Sequence, residues 1–176
     1  MVTRHDASGQ SLGVVAVALS LAAALSGCAT TTTPAQVART GSGMISSTVS
    51  VPVGYETIYL SGMTGTLPPP PGTAPGTPPP DSGDTETQAL RALDKIKQAL
   101  EEQHLTMGDI VMMHAYLAPD PATGRGDSKG WAAAYTKYFG TPDQPNKPSR
   151  TSITVVLGGP AAKIEIETIA VRKPPK

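Results

Sequence analysis

The stretch Ile164-Glu165-Ile166-Glu167-Thr168-Ile169-Ala170-Val171 decides how the chain is read. Residues 163–171 have strand composition, and the two-residue period of a strand puts Ile164 and Ile166 on one face and Glu165 and Glu167 on the other. Read alone, the glutamate side is a solvated strand face. A Gly158-Gly159-Pro160 turn links it to a preceding strand at 150–157, which starts at Arg150 directly after Pro148 and Ser149. Further upstream, 140–148 carries three prolines and ends a helix at 129–139, with Trp131, Ala134, Tyr135 and Tyr138 on one side.

The apolar run at 110–117 reads as a strand buried on both faces, closed by Pro119 and Pro121. Before it, Thr85 and Gln88 make a capping-box pattern, and Ala89, Leu93, Ile96 and Leu100 follow at helical spacing. Residues 67–84 hold eight prolines, so they form neither a helix nor a central strand; an exposed surface loop is expected. Residues 44–53 and 56–61 read as a hairpin turning at Gly54 and Tyr55. The order β β α β α β β predicts an α+β domain over 44–172: a single mixed β-sheet with two helices on one face, followed by a short tail at 173–176. The other sheet face then needs a cover, which a chain this short obtains by self-association.

Composition narrows the chemistry. The 176 residues carry 14 basic and 14 acidic side chains, so no electropositive field favours nucleic acid, and no nucleic-acid partner is expected. One cysteine, Cys28, excludes an intrachain disulfide and a Cys-rich zinc site. Outside the first 27 residues the only histidines are His104 and His114, on different elements, and no carboxylates stand at ligand spacing; neither a metal nor another cofactor is expected. No nucleophile elbow or phosphate-cradling glycine loop is present. The groups left for chemistry are Arg150, whose guanidinium fork suits a carboxylate, and the Glu165/Glu167 pair.

Residues 1–27 read as an export signal, with Arg4 ahead of an apolar run from Leu12 to Leu25. The run ends in Leu25-Ser26-Gly27-Cys28, which resembles the lipobox of bacterial lipoproteins. That resemblance implies lipidation of Cys28 after cleavage and a membrane anchor on the periplasmic side, with Ala29 favouring the outer membrane of a two-membrane cell. Residues 28–43 then form a flexible tether.

Five blocks together resemble the RidA-type reactive intermediate deaminase family, also called YjgF: Tyr59-Leu60-Ser61-Gly62, Thr87-Gln88-Ala89 through Leu93, Met107-Gly108-Asp109-Ile110-Val111, Pro148-Ser149-Arg150-Thr151-Ser152, and the opening stretch from Ile164 to Val171. The resemblance implies a chorismate-mutase-like fold assembled as a homotrimer, with sites between subunits. It implies that Arg150 binds a substrate carboxylate and that Glu165 is the catalytic residue, positioning the water that hydrolyses a 2-imino acid to a 2-oxo acid and ammonia. Ser61, Gly62 and Ser152 match pocket-lining positions. Two positions depart from the family pattern: Ser46-Ser47-Thr48 stands where deaminating members carry a tyrosine, and Ser152 where many carry cysteine. A cofactor-free imine deaminase and an exported module that binds small carboxylates or carbonyl compounds without turnover are the two functions this leaves.

Overall fold

A computed structural model describes residues 35–175; the expected leader at 1–27 and Cys28 lie outside them. The helix expected from the Leu93/Ile96/Leu100 spacing is α1, Thr85–Glu102. Ala89, Ala92, Leu93, Ile96 and Leu100 are fully buried along it, the stripe that a 3.6-residue repeat produces. Each large aliphatic side chain buried in this way contributes about 1.5–3 kcal/mol.

The start of α1 differs from the expected capping box. Asp84 is the N-cap, and its side chain accepts a hydrogen bond from the Thr87 amide at 2.8 Å. A carboxylate suits the unpaired amides and positive end of a helix, and hydrogen bonding to Thr87 holds the Asp84 carboxyl below its ordinary pKa. Gln88 turns into the interior instead. It donates to the Gly83 and Ala161 carbonyls and accepts from the Lys163 amide at 2.9 Å, pinning α1 to the turn before the last strand. A Cβ on Gly65, directly after the strand 56–64, would run into the Gln88 backbone, so the helix packs against the end of that strand where only glycine leaves room.

Six strands are present: β1 (Ala38–Thr40), β2 (Thr48–Ser50), β3 (Glu56–Thr64), β4 (Ile110–Leu117), β5 (Ser149–Thr154) and β6 (Ile164–Arg172). Four of them make one mixed sheet in the order β3-β6-β4-β5, in which β6 is antiparallel to both neighbours and β4 runs parallel to β5. The second helix, α2 (Ser128–Tyr135), packs beside α1, and its Trp131, Ala134 and Tyr135 join α1 in one core. Ile164 and Ile166 of β6 are fully buried in that core. The α+β architecture with both helices on one sheet face is therefore the expected one.

Three details differ. The hairpin expected between 44–53 and 56–61 does not pair, because β3 is taken by β6, whose register sets Leu60 opposite Thr168 above the helices. β2 pairs instead with β1, which lies in the stretch expected to be a tether. β1 is fastened down: Arg39 donates to the Gly108 and Ile110 carbonyls, and burial lowers the pKa of its guanidinium. Finally, β4 is buried on one face only. Met112, His114 and Tyr116 are half-exposed on its second side, because that face of the sheet is uncovered in a single chain. The proline-rich segment is an exposed loop without regular structure, closed at its base where Arg91 donates to Gly65 and Ser82 carbonyls.

Candidate functional site

Arg150 lies near the start of β5, an edge strand, and is registered against Met113 of β4. Paired residues share a face, and Met113 is fully buried, so Arg150 projects toward the helices. There the guanidinium carbon sits 4.3 Å from the Tyr135 ring centre and 5.1 Å from that of Trp131. The two rings meet edge to face at 5.6 Å, and Tyr135 stacks on Phe139 at 4.7 Å. Such cation–π contacts are worth about 0.5–2 kcal/mol each, the upper end where water is excluded.

No acidic side chain among the described residues pairs with Arg150, and its buried Nη1 has no hydrogen-bond partner. The neighbouring Tyr135 hydroxyl is likewise buried and unpaired. Burial lowers the arginine's pKa and raises that of Tyr135 to about 12, so at neutral pH the arrangement is a cation beside a neutral phenol. Arginine does not deprotonate in proteins. A half-buried, unneutralised guanidinium is a receptor for an anion, and the flat fork matches a carboxylate. Ser152, two residues on and on the same side of β5, accepts a hydrogen bond from the Trp131 indole N–H at 3.1 Å. The sequence reading placed Ser152 among the substrate-binding residues; in the structure its hydroxyl oxygen accepts the indole N–H and its own O–H stays on the exposed side of the strand.

Glu165 occupies the opposite sheet face. It is registered against Thr64 of β3 and Tyr116 of β4, on the side away from Ile164 and Ile166. The β3–β6 register is interrupted between Leu60 and Met63, a bulge that leaves Ser61 and Gly62 outside the ladder. A Cβ on Gly62 would collide with the Glu165 carboxylate, so the glycine is what lets that carboxylate lie against the bulge. The alternation of β6 makes Glu165 and Glu167 equivalent in sequence, and the structure separates them. The Tyr116 hydroxyl donates to Glu167 Oε2 at 3.0 Å, and His114 Nδ1 stands 3.6 Å from the same atom. The bond to Glu167 raises the pKa of Tyr116. Among the described residues Glu165 has no hydrogen-bond or ion-pair partner, and it is the carboxylate left free for a ligand or a water.

The residues singled out by sequence therefore fall into two sets. Ser61, Gly62 and Glu165 stand together on the uncovered face at β3 and β6; Arg150 and Ser152 stand together at the β5 edge, facing the helices. Strands lie about 4.8 Å apart, so β5 and β6, with β4 between them, are separated by about 10 Å before the change of face is counted. A single chain cannot bring Arg150 and Glu165 onto one small molecule. Two cavities of about 270 and 300 Å³ lie elsewhere, one beside Arg39 and Lys173 and one beside Asp84 and Asp127, and neither is lined by Arg150 or Glu165. Trp131 and Tyr135 were not among the candidate site residues. Their four-residue spacing on a buried helix face signals core, and only the register of β5 shows that an arginine lies beneath them.

These features define a small α+β domain whose candidate groups sit on opposite faces of one sheet. Residues 49–172 match the model of the family described as Endoribonuclease L-PSP, and the chain belongs to this family, which takes in the RutC and YjgF proteins it resembles by motif. A RutC family protein of Haemophilus influenzae is 31% identical over 90 residues, which span 51% of this chain and 65% of the relative. Among solved structures, a Rid family protein of unknown function, YyfB of Yersinia pestis, superposes with a TM-score of 0.54 at 21% identity, covering 72% of this chain and 86% of that one. The Escherichia coli protein TdcF, solved with bound serine, gives 0.51 at 24% identity over 70% and 85% of the two chains. Both likenesses concern the fold.

Proposed function

We propose that the domain is a cofactor-free enamine/imine deaminase that hydrolyses small 2-imino acids, of the 2-iminopropanoate or 2-iminobutanoate type, to 2-oxo acids and ammonia. The observation that carries this reading is the unneutralised guanidinium of Arg150, half-buried under two aromatic rings with an unpaired donor. In this reading the chain assembles as a homotrimer through its uncovered sheet face, where Tyr59 is 75% and Ile153 48% exposed. Each site combines the β5 edge of one subunit with the β3–β6 face of the next.

Arg150 fixes the substrate carboxylate by two parallel hydrogen bonds and so aligns the planar C=N group. Glu165 of the neighbouring subunit accepts a proton from a water and directs its oxygen at the imine carbon. The proton taken from water passes to the imine nitrogen to give the carbinolamine; its hydroxyl proton is then moved by the same carboxylate to the amino nitrogen as the C–N bond breaks and the C=O bond forms, leaving the 2-oxo acid and ammonia. Expelling ammonia needs no cofactor. The protein is further read as exported and anchored through lipid on Cys28, where it meets imino acids outside the cytoplasm.

A second reading, capture of a small oxo acid without turnover, is favoured by one observation. Ser46, in the segment where deaminating members carry tyrosine, is 4% exposed and spends its hydroxyl on the Lys147 carbonyl at 2.6 Å. Generation of 2-iminobutanoate in situ by an amino-acid oxidase separates the two. The deaminase reading expects faster imine loss with the protein present, whereas unchanged loss together with binding of 2-oxobutanoate supports capture alone. Ribonuclease activity, which the family description names, gains no support from the balanced charge of this chain.

The contact between Gly62 and Glu165 carries its own prediction. In Gly62→Ala the added methyl meets the far end of a flexible side chain, so the protein folds while the carboxylate is pushed off its place. Deamination is expected to fall on the order of 100-fold, the worth of a misplaced general base, with the melting temperature little changed. Parallel kinetics and thermal unfolding of this variant check it.

A further inference from the structure

We propose that Trp131 and Ser152 form a positioning lock for Arg150, and that the Ser152 hydroxyl serves this lock rather than the substrate. The inference rests on the reading of Arg150 as the carboxylate receptor. An arginine on a sheet edge without an acidic partner is free to sweep through many rotamers, and a receptor that sweeps binds poorly. The edge strand solves this with two contacts that form a closed loop. Trp131 covers the guanidinium through its ring face, with Tyr135 as the second wall. The indole N–H is tied to Ser152 Oγ at 3.1 Å, and Ser152 follows Arg150 by two residues on the same side of β5. The strand that carries the arginine therefore also holds the ring that covers it.

The nature of the restraint matters for function. A carboxylate partner would fix the arginine equally well, but it would neutralise the charge and occupy the fork. Ring faces and an indole–hydroxyl bond restrain the side chain and leave both charge and in-plane donors for an incoming anion. Trp131 is 1% exposed, so it acts through Arg150 and not on the ligand itself.

Trp131→Phe keeps a ring over the guanidinium and removes the N–H, and Ser152→Ala removes its acceptor. Each is expected to weaken 2-oxobutanoate binding, measured by calorimetry, and to raise KM for 2-iminobutanoate by about 3- to 10-fold, the worth of one hydrogen bond, with kcat within about twofold. The double variant is expected to be no worse than the poorer single variant, since both remove the same bond. Trp131→Leu, which also removes the stacking, is expected to lose more. Wild-type affinity in both conservative variants, folded to the wild-type melting temperature, would overturn the lock. Multiplying losses in the double variant would also overturn it, by showing that Ser152 meets the ligand independently. So would a wild-type protein that binds no oxo acid. Binding without turnover would overturn the deaminase reading alone, because the calorimetric comparison needs no catalysis.

Discussion

Arg150→Ala is expected to lower kcat/KM for 2-iminobutanoate on the order of 100- to 1000-fold, mostly through KM. Truncating one partner of a buried, hydrogen-bonded charge pair costs about 2–5 kcal/mol, and each 1.4 kcal/mol is tenfold. Arg150→Lys keeps the charge and loses both the fork and the stacking on Tyr135 and Trp131, so about tenfold of the activity should be lost relative to wild type. The same series in a binding experiment with 2-oxobutanoate should follow the same ranking. The alanine variant is expected to fold with a somewhat lower melting temperature, because the lost ring contacts, about 0.5–2 kcal/mol each, are partly offset by removal of a buried unsatisfied donor. Equal kinetics in wild type and Arg150→Ala would remove the arginine from the site.

Glu165→Gln should behave differently. It preserves size and hydrogen bonding beside Gly62 but removes the base, so kcat is expected to fall by about 100- to 10,000-fold while KM and oxo-acid affinity change little. Glu167→Gln serves as the control. Its partner atoms are Tyr116 and His114, and it should alter kcat by less than about tenfold, because a carboxylate already engaged by its own chain is not the one that moves a proton. A larger loss in Glu167→Gln than in Glu165→Gln would reverse the assignment of the two glutamates.

Much of this could be read from the sequence, for reasons particular to each element. The 3.6-residue stripe of α1 and the alternation of β6 each have one physical meaning, since burial on one face demands that spacing. The β6 alternation also placed Glu165 opposite the isoleucines. For β5 no such signal exists: Ser149-Arg150-Thr151-Ser152-Ile153-Thr154 has no apolar alternation, so the face taken by Arg150 follows only from its parallel register against Met113. That is why the sequence put Arg150 and Glu165 on one substrate without showing that the fold sets them on opposite faces of the sheet, with β4 between their strands. β1 escaped notice because Ala38-Arg39-Thr40 lies in a Thr/Ala/Gly/Ser stretch whose composition reads as a tether; its strand is held by long-range bonds from Arg39. Trp131 and Tyr135 were correctly placed in a buried helix face, but a core stripe says nothing about a cation packed against it.

Subunit mixing tests most directly the proposed division of the site between neighbouring subunits. Arg150→Ala and Glu165→Gln chains carrying different tags are co-expressed, and trimers holding both are purified through the two tags in turn. In a cyclic trimer of two chain types one junction always joins an intact Arg150 to an intact Glu165, so the mixed trimers should regain about one third of wild-type deaminase activity although each parent is nearly inactive. Mixed trimers no more active than their parents would contradict the account.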